Sequence, residues 1–326
     1  MRILVLGGTG FVGRQIAMRL IYQGDDVAVF HRHPDAPEPL NRFRHIHGEK
    51  SSLQGVSREI AQFRPQAVVD ASSMTRADAE SALEVLPNVP TVVLSSQDVY
   101  EAFLSSRNGT CLSPVPLSER SAVRTQRHLY RGLGLKGVDE DYEKLDVEAS
   151  WSRRGATILR LPMTYGPFEA QAREDPILRR IAAGRLRIPV GEGTQLWSRG
   201  HVNDIAVTVT AAVKTPMSWG RTMNIGDATA WPVSKWYECI LRSAKSEAHL
   251  VRVLDEAVPP DLSLSRAHSQ HMLASVELAQ SLLGQKAADP MVRIRQSVRW
   301  HLRYSRQGQW TTHDSILDDA ALVHAL

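Results

Sequence analysis

A glycine-rich turn between a strand and a helix, at the very start of the chain, is the strongest constraint on what it can fold into. Residues Arg2–Leu6 read as a short buried strand, Gly7-Gly8-Thr9-Gly10-Phe11-Val12-Gly13 follows at once, and apolar residues then recur at helical spacing. Glycine is needed where backbone approaches a pyrophosphate and where helix and strand pack closely. The N–H groups of such a loop, with the positive end of the helix it opens, hold phosphates. Gly7, Thr9, Gly10, Phe11, Val12 and Gly13 are therefore expected to contact a nucleotide cofactor.

The remaining pattern extends this start into a fold. Apolar runs at Arg2–Leu6, Val27–Phe30, Ala67–Asp70, Thr91–Ser95 and Thr157–Leu161 alternate with helical patterns at Phe11–Gln23, Leu53–Phe63, Arg76–Leu86 and Glu140–Ser152. Alternation of this kind predicts an α/β fold, a doubly wound parallel Rossmann sheet with ligand at the carboxyl ends of its strands. After Leu161 the pattern changes. Short strands are expected near Leu186–Pro189 and Thr222–Ile225, with helices at Ile177–Ala183, Asn203–Lys214 (capped by Asn203), Val233–Ala244, Met272–Leu282 and Met291–Arg303. We assign residues 1–161 and 201–230 to the dinucleotide-binding domain, and 162–200 and 231–326 to a smaller C-terminal substrate lobe. Glu101–Gly137 is a long insertion rich in Ser, Pro, Gly and Arg, which points to a lid.

Bulk properties narrow the setting. The chain has 326 residues, enough for a large core, and no apolar run long enough to span a bilayer. Met1-Arg2 leads straight into the first strand, leaving no room for a signal peptide. Cys111 and Cys239 stand far apart with no pairing pattern, which indicates a reducing compartment, and the expected location is cytoplasmic. A net charge of +4 suits an anionic cofactor or substrate and does not require nucleic acid.

The end of the second strand bears on which cofactor is used. A site for NAD ordinarily places an acid roughly 20 residues past the glycines. Here Phe30 is followed by His31-Arg32-His33-Pro34, without an acid, and the guanidinium of Arg32 matches a 2′-phosphate. NADP is the expected cofactor, with NAD as the alternative and Arg14 as a candidate helper. The alternative for Arg32 is stacking on adenine or a place in solvent. Asp70-Ala71-Ser72 closes the third strand beside the expected nicotinamide ribose, either lining the site or capping the strand.

Three further stretches carry a family resemblance. They are Leu94-Ser95-Ser96-Gln97-Asp98-Val99-Tyr100, Asp141-Tyr142-Glu143-Lys144-Leu145-Asp146-Val147-Glu148, and Leu159-Arg160-Leu161-Pro162-Met163-Thr164-Tyr165-Gly166-Pro167. Together with the opening loop they resemble, in order, the strand-end serine, the catalytic-tyrosine helix and the nicotinamide-flanking loop of the extended short-chain dehydrogenase/reductase superfamily, NAD-dependent epimerase/dehydratase branch. His201-Val202-Asn203-Asp204-Ile205-Ala206 and Met223-Asn224-Ile225-Gly226 are weaker echoes. The resemblance spans residues 1 to 245. It implies a serine, a tyrosine and a lysine four residues later, with Ser96 and Tyr142 acting on substrate and Ser95, Pro162 and Met163 beside the cofactor.

The lysine position falls on Asp146, and no tyrosine of the chain has Lys four residues on. If the stretch is helical, Asp146 shares a face with Tyr142, whereas Lys144 lies about 200° away. A carboxylate there would hold the phenol protonated, making Tyr142 a better acid than base. Three functions follow from this. One is an atypical NADP-dependent oxidoreductase or epimerase-like enzyme acting on a small carbonyl or hydroxyl substrate, with Tyr142 as acid and Asp146 in the catalytic set. The second is a redox-neutral lyase, isomerase or cyclase. The third is a non-catalytic nucleotide- or RNA-binding protein.

Other patterns weigh less. Arg120, Arg124, Arg127 and Arg131, with Lys136 beyond, would form a basic stripe if helical, suited to an anionic substrate or to RNA; a solvated face balanced by nearby acids is favoured. No RNP-type aromatic motif accompanies it, so nucleic acid is not the expected partner; a small molecule is, anionic ones included. His31/His33 and His45/His47 could each present two ligands on one strand face, but no third ligand of obvious spacing stands near, and no metal site is assigned. Relatives of this kind often form homodimers, and that state stays open.

Overall fold

Six short strands open the chain in order: β1 Arg2–Leu6, β2 Asp26–His31, β3 Arg44–His47, β4 Ala67–Asp70, β5 Thr91–Ser96 and β6 Thr157–Leu161. β7 Met163–Tyr165, β8 Arg187–Val190 and β9 Arg199–His201 then leave the main sheet, β10 Thr222–Asn224 rejoins it, and β11 His249–Arg252 is the last. The computed structural model describes residues 1–33, 38–110, 112–135, 138–171, 173–284, 288–304 and 308–326. Pro34, Cys111 and Lys136, each part of a sequence expectation, lie outside the described residues.

The main sheet runs β10-β6-β5-β4-β1-β2-β3, with every pair parallel. Chain order reverses between β1 and β4, which opens a crevice at their carboxyl ends. Register sets that crevice level. Leu6 lies opposite both Phe30 and Asp70, so the glycine loop, His31 and Ala71 stand side by side at the carboxyl ends of the three strands. Parallel strands are covered on both faces, and side chains alternate between them. Ile3 and Val5 pack under the helices Phe11–Tyr22 and Val202–Lys214. Leu4 and Leu6 face the other way, towards Phe63, Ala79 and Trp151. A further apolar cluster, including Ile188, Trp236, Ile240 and Val298, forms the core of the later residues, where β8 pairs with β11.

Several elements differ from expectation for local reasons. The helix expected from Glu140 begins only at Lys144, because the chain turns before it and the Glu143 carboxylate accepts from Leu145 N–H as a cap. The helix expected from Asn203 starts at Val202 and is capped by His201, whose Nδ1 accepts from Asn203 N–H. Met272 and Ala274 are not helical; they bridge to Trp197 and Leu117, and the helix there is Glu277–Leu283. β3 has the sequence Arg-His-Ile-His, with no apolar run to announce it. The 101–137 insertion starts with the helix Glu101–Arg107 and is then tied to the body, with Arg124 N–H donating to Val99 O and Leu117 N–H to Leu273 O. Among the described residues, no helix is long and apolar enough to cross a membrane.

Candidate functional site

The glycine loop folds onto itself too tightly for a side chain at Gly7 or Gly13. Gly7 has φ +77° and its N–H donates to Phe30 O, while Gly10 N–H donates back to Gly7 O. A Cβ at Gly13 would lie 2.2 Å from Gly7 O, and one at Gly7 would lie 2.9 Å from Ser72 Cβ. The helix that follows has Gly10 as its N-cap, no side-chain cap and no acid in its first turn. Its first N–H groups and its positive end therefore stay available to an anion. The loop fits the pyrophosphate of a dinucleotide, which would be held by backbone from Gly7 to Gly13.

A cavity of about 590 Å³ lies over this loop, bounded by Gly7, Thr9, Gly10, Ala71 and Ser72, by His31, Arg32 and His33 from the end of β2, and by Lys50 and Tyr142. His31, at 4% exposure, packs with His45 and His47 in one group of rings whose centroids are 4.5–5.9 Å apart. Its Nε2 is 2.7 Å from His45 Nδ1, and His45 Nε2 is 2.6 Å from Leu40 O. A carbonyl only accepts, so His45 Nε2 carries the proton, and a neutral His45 then accepts from His31. Burial, then the neighbouring His47 and His45, lowers the His31 pKa to about 4. Among the described residues, no group of three or more His, Cys, Asp or Glu is arranged to hold a metal ion.

A second cavity, about 310 Å³, is bounded by Ser96, Asp98, Tyr130, Pro162, Met163 and again Tyr142. Tyr142 therefore borders both spaces. Its hydroxyl donates to Asp98 Oδ2 at 2.8 Å, and the Tyr130 hydroxyl donates to the same oxygen at 3.3 Å. The two rings meet edge to face with centroids 5.2 Å apart. Ser96 Oγ accepts from Asp98 N–H, and Arg124 Nε donates to Asp98 O, which fixes the backbone that carries the acid. Burial, and then the Asp98 charge, raises the Tyr142 pKa well above the ordinary phenol value. Burial also raises Asp98, opposed by the Tyr142 hydrogen bond and by the Arg124 and Lys144 charges. The phenol is a firm proton holder hydrogen-bonded to a carboxyl that is itself reluctant to ionise.

Asp146 is not part of this arrangement. Tyr142 precedes the helix rather than lying within it, so the shared-face argument does not apply, and the Asp146 carboxylate pairs with Arg76 and Arg127 at the surface. Lys144, the first helical residue, turns inward. Its ammonium donates to Ser73 O at 2.6 Å and Leu94 O at 2.9 Å, and burial lowers its pKa to about 8. Asp70 ties its own strand end, accepting from Ser72 N–H, Ser73 N–H and Trp151 Nε1. Ser95 Oγ donates to Glu148, away from either cavity. The Arg14 guanidinium lies 4.1 Å from the Phe168 ring.

The basic stripe does not form either, since residues 118–137 are not helical where described. Arg124 makes a fully buried pair with Glu143, Arg127 pairs with Glu143 and Asp146, and Arg131 pairs with Asp141. Sequence inspection passed over Asp98 and Tyr130. Asp98 was legible as an acid two residues past Ser96 at a strand end, whereas Tyr130 reaches the site only through the course of the insertion.

Comparison with known proteins places these features. The model of the NAD dependent epimerase/dehydratase family matches residues 3–105 and 146–226. The chloroplast stem-loop binding protein of 41 kDa b of Arabidopsis thaliana is 25% identical, over 97% of this chain and 84% of that protein. A 3-diazoavenalumate denitrifying reductase of a Streptomyces species is 23% identical, over 92% of this chain and 95% of that one. Among solved structures, UDP-glucose 4-epimerase of Bifidobacterium longum, in complex with NAD+ and UDP, superposes with TM-score 0.68 at 16% identity, covering 93% of this chain and 99% of that one.

Proposed function

The chain belongs to the NAD dependent epimerase/dehydratase family, and from that premise we propose that it is an NADP-dependent reductase of a small carbonyl substrate, with Tyr142 as the proton donor. One observation carries this. Tyr142 is the hydrogen-bonding phenol that borders both the glycine-loop cavity and the cavity containing Ser96 and Asp98. The dinucleotide, when bound, supplies hydride to a carbonyl carbon. The residues do the rest. Ser96 orients the carbonyl oxygen, and Tyr142 O–H passes its proton to that oxygen as charge develops there. Asp98, whose carboxyl pKa is raised above its usual range by burial, accepts the phenol's hydrogen bond and holds the hydroxyl in place, and the phenol regains its proton from solvent.

A phenol that burial keeps protonated at ordinary pH is rarely available as phenolate to take a proton, so the site is set for reduction, in which it donates, rather than for alcohol oxidation. Arg32 supplies a permanent positive charge for a 2′-phosphate, Lys50 lines the same cavity while paired with Asp78, and residues 30–34 include no acid to accept from a ribose hydroxyl. The division into residues 1–161 with 201–230, and 162–200 with 231–326, belongs to this proposal, as does a cytoplasmic setting, which suits the free, buried Cys239.

The test is calorimetric titration with NADPH and NADH, followed by stopped-flow absorbance of the reduced cofactor against a carbonyl panel. Tighter binding of NADPH, with oxidation by at least one carbonyl, is expected. Binding with no turnover on any carbonyl contradicts the reductase assignment.

A further inference from the structure

The geometry points to an uncharged aryl carbonyl compound, one ring with a short side chain, as the substrate class of the second cavity. This rests on the reductase proposal and deepens it. Size is the first argument. A space of about 310 Å³ sits at the lower end of small-molecule sites and holds roughly ten water-sized volumes. A whole nucleoside diphosphate sugar is larger than this space.

Chemistry is the second argument. Phe103 and Trp197 meet edge to face on the wall, ring centroids 6.2 Å apart, and Met272 packs in the same apolar cluster. Such walls select a flat apolar body, by edge-to-face contact and by thioether–ring contact. Ser96, Asp98, Tyr130 and Tyr142 form one mutually bonded set beside the apolar wall; of the other polar lining residues, Gln97 donates to Arg160 O and Ile225 O, and Gln171 and Arg173 are contributed by the segment after Gly166. One carbonyl oxygen satisfies that set, whereas a polyhydroxylated sugar would leave hydroxyls against the aromatic wall without partners.

Charge is the third argument. Among the described residues lining the cavity, Arg173 is the one cation, and its guanidinium is bonded to the Glu169 carboxylate and to Thr164 O. A phosphate or carboxylate on the substrate would have to compete with Glu169 for that group, at a desolvation cost to both. The reaction balances simply. Hydride from the reduced dinucleotide goes to the carbonyl carbon, the Tyr142 proton goes to the oxygen, and an aryl carbinol and oxidised dinucleotide result.

The experiment is saturation-transfer NMR and calorimetry on the full chain with acetophenone, 4-acetylbenzoate and UDP-glucose, each without cofactor and with NADP+. Acetophenone is expected to bind at least about fivefold more tightly than 4-acetylbenzoate, and UDP-glucose not to bind. Leu135→Asp, on the half-exposed rim of the cavity, and Trp197→Ala should each weaken acetophenone at least about threefold while leaving NADP+ affinity unchanged. Tighter binding of 4-acetylbenzoate or of UDP-glucose overturns the inference, as does acetophenone binding that neither variant alters. Failure of NADP+ to bind, with acetophenone still bound and sensitive to both variants, strikes the cofactor proposal and leaves the cavity's selectivity standing.

Discussion

The Tyr142 hydroxyl and the Asp98 carboxylate form a 2.8 Å hydrogen bond where Tyr142 borders two cavities, and burial together with this contact holds the phenol protonated. The acid that controls the phenol comes from the turn after β5, not from the helix that follows Tyr142. Because burial and Asp98 both push the phenol upward, Tyr142 stays protonated across the whole ordinary pH range. Loss of activity with rising pH should therefore not track ionisation of Tyr142.

Arg32→Ala should weaken NADPH by about tenfold or more and NADH by less than about threefold, since only the 2′-phosphate needs its charge. Calorimetry with both cofactors checks this. Equal losses would mean that the arginine serves the adenine, or nothing.

Asp146→Asn should leave the affinity for either dinucleotide unchanged within about twofold, because its carboxylate is engaged by Arg76 and Arg127 and does not line the glycine-loop cavity. A marked change in NADPH binding would place it in the crevice after all.

The Arg124–Glu143 pair, with both side chains 0% exposed, ties the insertion to the turn before Lys144. Glu143→Leu should cost about 3–5 kcal/mol in urea unfolding, because it strands a buried guanidinium. The double variant Arg124→Met/Glu143→Leu should cost clearly less. Additive losses would show that the pair is not the unit of stability.

Glu174 is buried beside Ser297 and His301, and burial raises its pKa to about 8. Its folded-state pKa lies above the unfolded value, so its carboxyl favours folding below about pH 4.5 and loses that favour as pH rises towards 8. Glu174→Gln should therefore gain stability relative to the parent between pH 5 and pH 8, by about 1 kcal/mol or more. Thermal unfolding across that range tests the sign, and a parallel shift at all pH values would contradict it.

The sheet was legible because its buried strands are plain apolar runs, and the glycine loop because sterics allow nothing else at Gly7 and Gly13. The corner around Tyr142 was harder to read. Placing Tyr142 on a helix assumed that Glu140–Ser152 is continuous, but Glu143 caps at that point, and a one-turn delay exchanges which of Lys144 and Asp146 looks inward. Tyr130 and Arg124 arrive through an irregular insertion whose path depends on contacts distant in sequence, such as Leu117 with Leu273 and Arg124 with Glu143. Periodicity carries no information about such contacts.

The most direct test is single-turnover oxidation of NADPH by a carbonyl substrate in the parent chain and in Tyr142→Phe. The expected result is a rate lower by about 10²–10⁴ in the variant, with NADPH affinity held within about threefold. A variant that turns over at the parent rate, or one that fails because it no longer binds NADPH, would contradict the assignment of Tyr142 as the proton donor between the two cavities.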